Sequence, residues 1–474
     1  MSGTQMEMNL SPDRGSRLKK SLESGQFVTL IETQVPPGEM DKASGLQRLE
    51  ALESAVLGQS GGCAALAVVD NSSRPDWKAV EFALALSEDN RDRHLVYLSG
   101  TGADRKTVSD LLQIAANAGL RNIVPVSGTV PEKDRTARSC GKIVFTESTE
   151  TLNMLSAHPC GFYAGATVNP YQYTPWTLLG SYYKMVKKFS CGAGFLVTQT
   201  GWDMLKLQSL TWYLTGRSLF YPHIARLILL SPEKAECIRS GGMPGIKISR
   251  DMKKMLDREL TLSKNQFEAA QYRRLELQAA GCRHLGFSGV QICGADTPSK
   301  AEFVLQRVRS ALEEFPSFGS WLDEYNAFMA STEMAPFADD FQLYDRVLHR
   351  NYPFDAPPET RELPAPDVSF GEKAGYFTKS FLFSGTEGET PGRAGCLKRL
   401  LTGCRSCRTC HLPKKSFICP ATCPMKLVDG ICGDVESDGG CPVTHQECVH
   451  HRILRLAHWR NRLPEQENLI FTAD

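Results

Sequence analysis

The chain carries almost no net charge: 54 Lys and Arg against 53 Asp and Glu leave +1 over 474 residues. That balance excludes a strongly basic nucleic-acid binder and a polybasic membrane anchor. No uninterrupted apolar run reaches the roughly 20 residues a spanning helix needs. Residues 1–30 lack an apolar stretch with a small-residue cleavage site, so the expectation is a cytoplasmic chain in a reducing compartment. A glycine-rich phosphate fingerprint is also missing after the first β-rich run, which counts against an open dinucleotide-binding sheet.

What the chain does have is cysteine, unevenly placed. Of its 16 cysteines, nine fall between Cys396 and Cys448. Cys404, Cys407 and Cys410 follow at two-residue spacing, then come Cys419, Cys423, Cys432, Cys441 and Cys448. Thiolates so spaced can share one metal or one cluster face. A disulfide framework suits a reducing compartment poorly. Eight thiols suit two four-ligand sites holding zinc or [4Fe–4S], with Cys419 and Cys423 assignable to either set. Cys63, Cys140, Cys160, Cys191, Cys237, Cys282 and Cys293 stand singly and read as small buried hydrophobes.

Upstream, β-rich runs at 27–32, 65–69, 94–99, 122–127, 162–167, 194–199, 223–230 and 289–293 alternate with helical stretches. The helices are expected at 43–56, 77–86, 104–118, 148–155, 176–189, 202–214, 264–280 and 300–313. Strands spaced by helices imply parallel crossover units, and eight of them in about 290 residues predict a (β/α)8 barrel. A doubly wound sheet is the alternative. The domain reading is a flexible N-terminus at 1–24, the barrel at 25–315, a connecting and proline-rich segment at 316–395, and the cysteine-rich domain at 396–474. Residues 368–395 are expected to wrap back over the barrel, and 450–462 to form a packed terminal helix. In such a barrel, chemistry belongs at the C-terminal strand ends. Those ends offer Glu32, Asp70, Ser127-Gly128-Thr129, Asn169 and Gln199.

At these strand ends the sequence resembles the methylenetetrahydrofolate reductase family of flavin-dependent barrels. The likeness lies in Phe27 to Glu32 followed by Pro36 and Pro37, in the His94-led third run, and in residues 119–128. It continues through Gly165, Ala166, Asn169 and Pro170, then residues 187–199 with Asp203, and residues 226–230 with 243–248. The cysteine pattern resembles a domain found with or fused to these reductases. One extra residue separates Glu32 from Pro36. Thr129 stands at a family aspartate, Ser181 at a flavin-binding aspartate, and Lys184 at an asparagine.

The resemblance implies an oxidoreductase of one-carbon metabolism that interconverts 5,10-methylenetetrahydrofolate and 5-methyltetrahydrofolate with FAD. Glu32 would be the acid, a carboxyl whose pKa is raised in a dry pocket. Gln199 and Asp70 would bind substrate; His94, Gly128, Thr129 and Lys188 would contact the cofactor. The implied partners are tetrahydrofolate derivatives, NAD(P)H or a redox protein, and further copies in an oligomer, with neither nucleic acid nor membrane. Two rival readings remain open: a folate-binding barrel without reductase chemistry that serves a methyl-transfer complex, and an electron-transfer module active only in its tail.

Overall fold

The computed structural model describes residues 16–36, 40–58, 64–70, 78–331, 341–344, 358–386, 388, 396–405 and 410–471. Eight strands alternate with helices. They are β1 (Val28–Gln34), β2 (Ala64–Val69), β3 (His94–Ser99), β4 (Asn122–Val126), β5 (Tyr163–Val168), β6 (Phe195–Thr200), β7 (His223–Ile228) and β8 (Gly289–Cys293). Each pairs in parallel with the next, and β8 closes the ring on β1, where Leu30 lies opposite both Ala65 and Gln291. The (β/α)8 expectation holds.

Period-two alternation builds the two sides of the wall. Val28, Leu30, Ala65, Ala67, Leu95, Tyr97, Val124, Phe195 and Ile224 pack together in the lumen. Ile31, Leu66, Val68, Val96, Ile123, Leu196 and Leu227 pack outward among the helices. Phe195 stacks on Tyr163 at 4.8 Å between ring centres, so this end of the lumen is filled with side chains.

The barrel floor is closed by a helix, Arg17–Glu23, where a frayed terminus was expected. Ser16 caps it by accepting from the Lys19 amide, and buried Leu18 and Leu22 join the lumen cluster. The Ser16 hydroxyl also donates to Asn122 Oδ1 at 2.5 Å, fixing the helix to the start of β4. Two further helices, Pro232–Arg239 and Arg250–Leu262, follow β7 in a stretch given no element from the sequence.

The segment expected to wrap over the barrel packs elsewhere. Its helix, Phe370–Phe383, places Tyr376 and Phe383 against Cys410, Leu412, Phe417 and Cys419 of the C-terminal domain. The terminal helix Val449–Trp459 lies against the barrel helix Pro175–Ser190. Close approach is possible there because position 180 is glycine: an added methyl would meet Leu454 at 3.3 Å and Ile431 at 3.4 Å. Among the described residues, no helix is long and apolar enough to cross a membrane.

Candidate functional site

A cavity of about 270 Å³ opens at the C-terminal strand ends. Its walls come from both parts of the chain. The barrel supplies Asp70, Ser99, Thr129, Asn169, Gln199 and Arg226, among others, and the C-terminal domain adds residues 431–434.

Beneath the cavity, one polar network crosses the lumen. Arg226 on β7 donates to Glu32 on β1 through Nε at 2.6 Å and Nη2 at 2.5 Å. Its Nη1 donates to Gln199 Oε1 on β6 at 3.1 Å. Gln291 on β8 donates to Glu32 Oε2 at 2.7 Å and accepts from the Tyr97 hydroxyl at 3.0 Å. The structure therefore brings Glu32 and Gln199 to the same end of the barrel, joined by one guanidinium.

The charge state of Glu32 reverses the expectation of a raised pKa. Glu32 is 1% exposed, and burial alone would push its carboxyl up. The Arg226 charge and its paired hydrogen bonds, with Gln291, outweigh that and hold it below the ordinary 4.5. As arranged, Glu32 is a buried carboxylate anchor and holds no proton to give at neutral pH.

His94 begins β3, at the opposite end of the barrel from the cavity. The strand spans about 16 Å at the usual rise, so the imidazole cannot contact anything bound at the mouth. It is fully buried and pairs through Nε2 with Glu53 at 2.7 Å. The expectation of a cofactor contact there is corrected to a structural ion pair or hydrogen bond.

Asp70 does line the cavity, yet its two oxygens accept from the backbone amides of Ala79 at 2.6 Å and Ser99 at 2.8 Å. It orders the mouths of β2 and β3. Gly128 sits at φ +85°, and a Cβ there would press on Thr101 Oγ1 and come within 2.5 Å of Ser99 Oγ. Gly128→Ala is accordingly expected to lose about 1–3 kcal/mol of unfolding free energy in urea titrations, from left-handed backbone strain and this clash. A loss below a few tenths would show that the turn re-forms.

FAD fits this mouth poorly. Lys188, expected to meet a phosphate, is 5% exposed and donates to the Thr167 carbonyl at 2.7 Å and hydroxyl at 2.9 Å. Burial first, then the nearby Lys184 charge, brings its pKa down to about 7. Ser181 donates to the Asn169 carbonyl at 2.8 Å, and Lys184 is held by Glu147 at 2.7 Å. The small cavity, walled by residues 431–434, suits a single heterocycle and its near substituents better than a dinucleotide.

Glu147, which the sequence reading passed over, is the main docking residue for the C-terminal domain. It immediately precedes the helix Ser148–Ala157. Its Oε1 accepts from Lys184, and its Oε2 accepts from the amides of Val428 at 2.8 Å and Asp429 at 3.3 Å. Lys184 also donates to the Gly430 carbonyl at 3.3 Å, and Thr149 donates to Asp429 at 2.5 Å. Asn169 Nδ2 reaches both the Gly245 carbonyl at 3.2 Å and the Gly433 carbonyl at 2.8 Å. A carboxylate directly before a helix was a visible signal; its partner some 280 residues away was not.

Most of the described C-terminal thiols fall into two groups. Cys410 packs with Cys419. Cys423, Cys432 and Cys441 pack together with Cys140, and Cys432 also packs with Cys448. Cys404 is half-buried, and Cys407 lies outside the described residues. The donor chemistry suits a soft metal. Among the described residues, however, no three His, Cys, Asp or Glu side chains converge to hold an ion. His450 is held by ordinary packing: its Nε2 donates to the Leu427 carbonyl at 3.1 Å, and burial brings its pKa down to about 3.

Comparison with curated proteins gives no match. Among solved structures, the chain is similar to an uncharacterized protein from Clostridium thermocellum described as binding two copies of 5-methyl-5,6,7,8-tetrahydrofolic acid. Identity is 12%, coverage 61% of this chain and 99% of that one, and the TM-score 0.45. It is also similar to tryptophan synthase from M. tuberculosis in its aminoacrylate-bound form, at 12% identity, 63% and 99% coverage, and TM-score 0.35. Likeness at this level transfers no function; the barrel is established by its own strand pairing. The C-terminal segment is different, since residues 385–474 match the family described as methylene-tetrahydrofolate reductase C terminal. The segment that matches the methylene-tetrahydrofolate reductase C-terminal family is thus joined in this chain to a (β/α)8 barrel.

Proposed function

We propose that the barrel mouth binds the heterocycle of a tetrahydrofolate derivative. In this reading the chain serves the interconversion of 5,10-methylene- and 5-methyltetrahydrofolate beside a partner that supplies the electrons. The observation that carries it is the cavity walled jointly by Gln199, Asn169 and Arg226 of the barrel and by residues 431–434 of the C-terminal domain. Arg226 and the Thr200 amide both occupy Gln199 Oε1, which turns the amide nitrogen away from them and leaves it as a donor. The strand-end resemblance and the family of the C-terminal domain favour a folate over other bicyclic ligands.

A self-contained flavin reductase is the second reading, favoured by the convergence of Glu32 and Gln199 on Arg226. It needs room for FAD and a proton at Glu32; the residues 431–434 that wall the cavity and the Arg226 pair on Glu32 weigh against it. An absorption spectrum of the purified protein decides between them. No yellow flavin band is expected; a stoichiometric band bleached by 5-methyltetrahydrofolate would establish the reductase. Metal analysis of the same sample tests whether the C-terminal thiols carry zinc or iron.

Calorimetric titration with 5-methyltetrahydrofolate should show saturable binding. Gln199→Ala should weaken it about 3–10-fold, the net worth of one hydrogen bond. Absence of any binding to the intact protein would sink the proposal.

A further inference from the structure

The cavity contains a carboxylate that the barrel does not supply. Asp434 arrives from the C-terminal domain, and part of its surface opens onto the cavity while protein surrounds the remainder. Thr129 donates to it from the loop after β4. Gly245 lies against it from the other side: a Cβ there would sit 3.2 Å from Asp434 Oδ1 and 2.9 Å from Gln199 Nε2. Asp434 and the donor end of Gln199 thus flank one point at the mouth.

The cations facing the same space are largely committed. Lys184 is held by Glu147, Lys188 by Thr167, Arg226 by Glu32, and Lys78 by the Thr101 carbonyl at 3.2 Å. Asp434 makes no ion pair with any of them. Its side-chain oxygens are hydrogen-bond acceptors, and Thr129 is a donor to them.

We propose that Asp434 completes the site by accepting hydrogen bonds from the amino-pyrimidine edge of a bound pterin, so that barrel and C-terminal domain form one binding site. The 2-amino-4-oxo pyrimidine edge of a pterin presents two adjacent N–H donors, the ring N3–H and the amino group, the pattern a carboxylate accepts in bidentate fashion. Gln199 stands beside it to meet the ring's neighbouring acceptor. This rests on the reduced-folate reading and adds the residue that selects for the amino group.

The test pairs a variant with a ligand change in the intact chain. Titrate wild type, Asp434→Asn and Thr129→Val with 5-methyltetrahydrofolate and with its analogue lacking the 2-amino group. Asp434→Asn should bind the natural ligand about 10–100-fold more weakly, as expected for a charge-assisted pair, yet weaken binding of the analogue clearly less, because one of the two N–H donors is then missing. Thr129→Val should lose less, in the same ligand-selective manner, and serves if Asp434→Asn fails to fold. Equal weakening toward both ligands, or none, would overturn the role of Asp434 while leaving the folate reading intact. Failure of wild type to bind either ligand would overturn the folate reading and this assignment together.

Discussion

Glu147→Ala should be among the most destabilising single changes at the junction of barrel and C-terminal domain, lowering unfolding free energy by about 3–5 kcal/mol. Both members of the Glu147–Lys184 pair are nearly inaccessible, with side chains 8% and 7% exposed. Burial alone would lower the Lys184 pKa, but Glu147, through its charge and hydrogen bond, raises it above the usual lysine value. Removing the carboxylate strands a buried ammonium and two backbone donors, those of Val428 and Asp429. The loss is thus more than that of a surface ion pair, which is worth at most about 1 kcal/mol.

Urea denaturation measures the loss. Replacing both partners by apolar residues, Glu147→Leu with Lys184→Met, should recover part of it, because no buried charge then lacks a partner. Because residues 431–434 follow this anchor and wall the cavity, folate affinity should fall alongside stability. A loss under about 1 kcal/mol would mean that the domain is held mainly by the helix Val449–Trp459 and its contact at Gly180.

The fold was legible because barrel strands are short apolar runs at regular spacing, and the eight expected runs overlie the eight observed strands. For β3 and β8 even the bounds coincide, at 94–99 and 289–293. Arg250–Leu262 was overlooked although Met252, Met255, Leu256 and Glu259 mark its buried face at helical spacing. Its charged residues outnumbered its apolar ones and hid the stripe.

The site was legible only one strand at a time. Glu32 and Gln199 could be picked out as polar ends of apolar runs, but Arg226 lies 194 residues from Glu32, so nothing local signals the pair that sets its charge. His94 could have been set aside on topology alone, since the first residue of a strand lies at the wrong end of a barrel for chemistry. Asp434 could not have been found, because its place at the mouth depends on how the two parts of the chain dock.

Arg226→Met should reverse the pH dependence of stability as well as lower its magnitude. In the wild type the folded-state pKa of Glu32 lies below 4.5. Its contribution is therefore full above that value and is lost as pH falls through the folded pKa. Without Arg226, burial is the largest remaining influence, countered by Gln291, Cys293 and the Lys234 charge. The carboxyl's pKa then rises above its unfolded value, and the folded state binds the extra proton. Stability of Arg226→Met should accordingly be about 3–5 kcal/mol below wild type at pH 7, with part of that regained on acidification toward pH 5. Wild type should change little over the same interval from this group. Urea midpoints at the two pH values give the answer, and adding Glu32→Gln to Arg226→Met should remove the pH-dependent part. Identical pH profiles for wild type and variant would mean that Arg226 does not set the charge of Glu32. The result also bears on function, because a proton on Glu32 is what delivery to a folate would require, and the Arg226 pair is what withholds it.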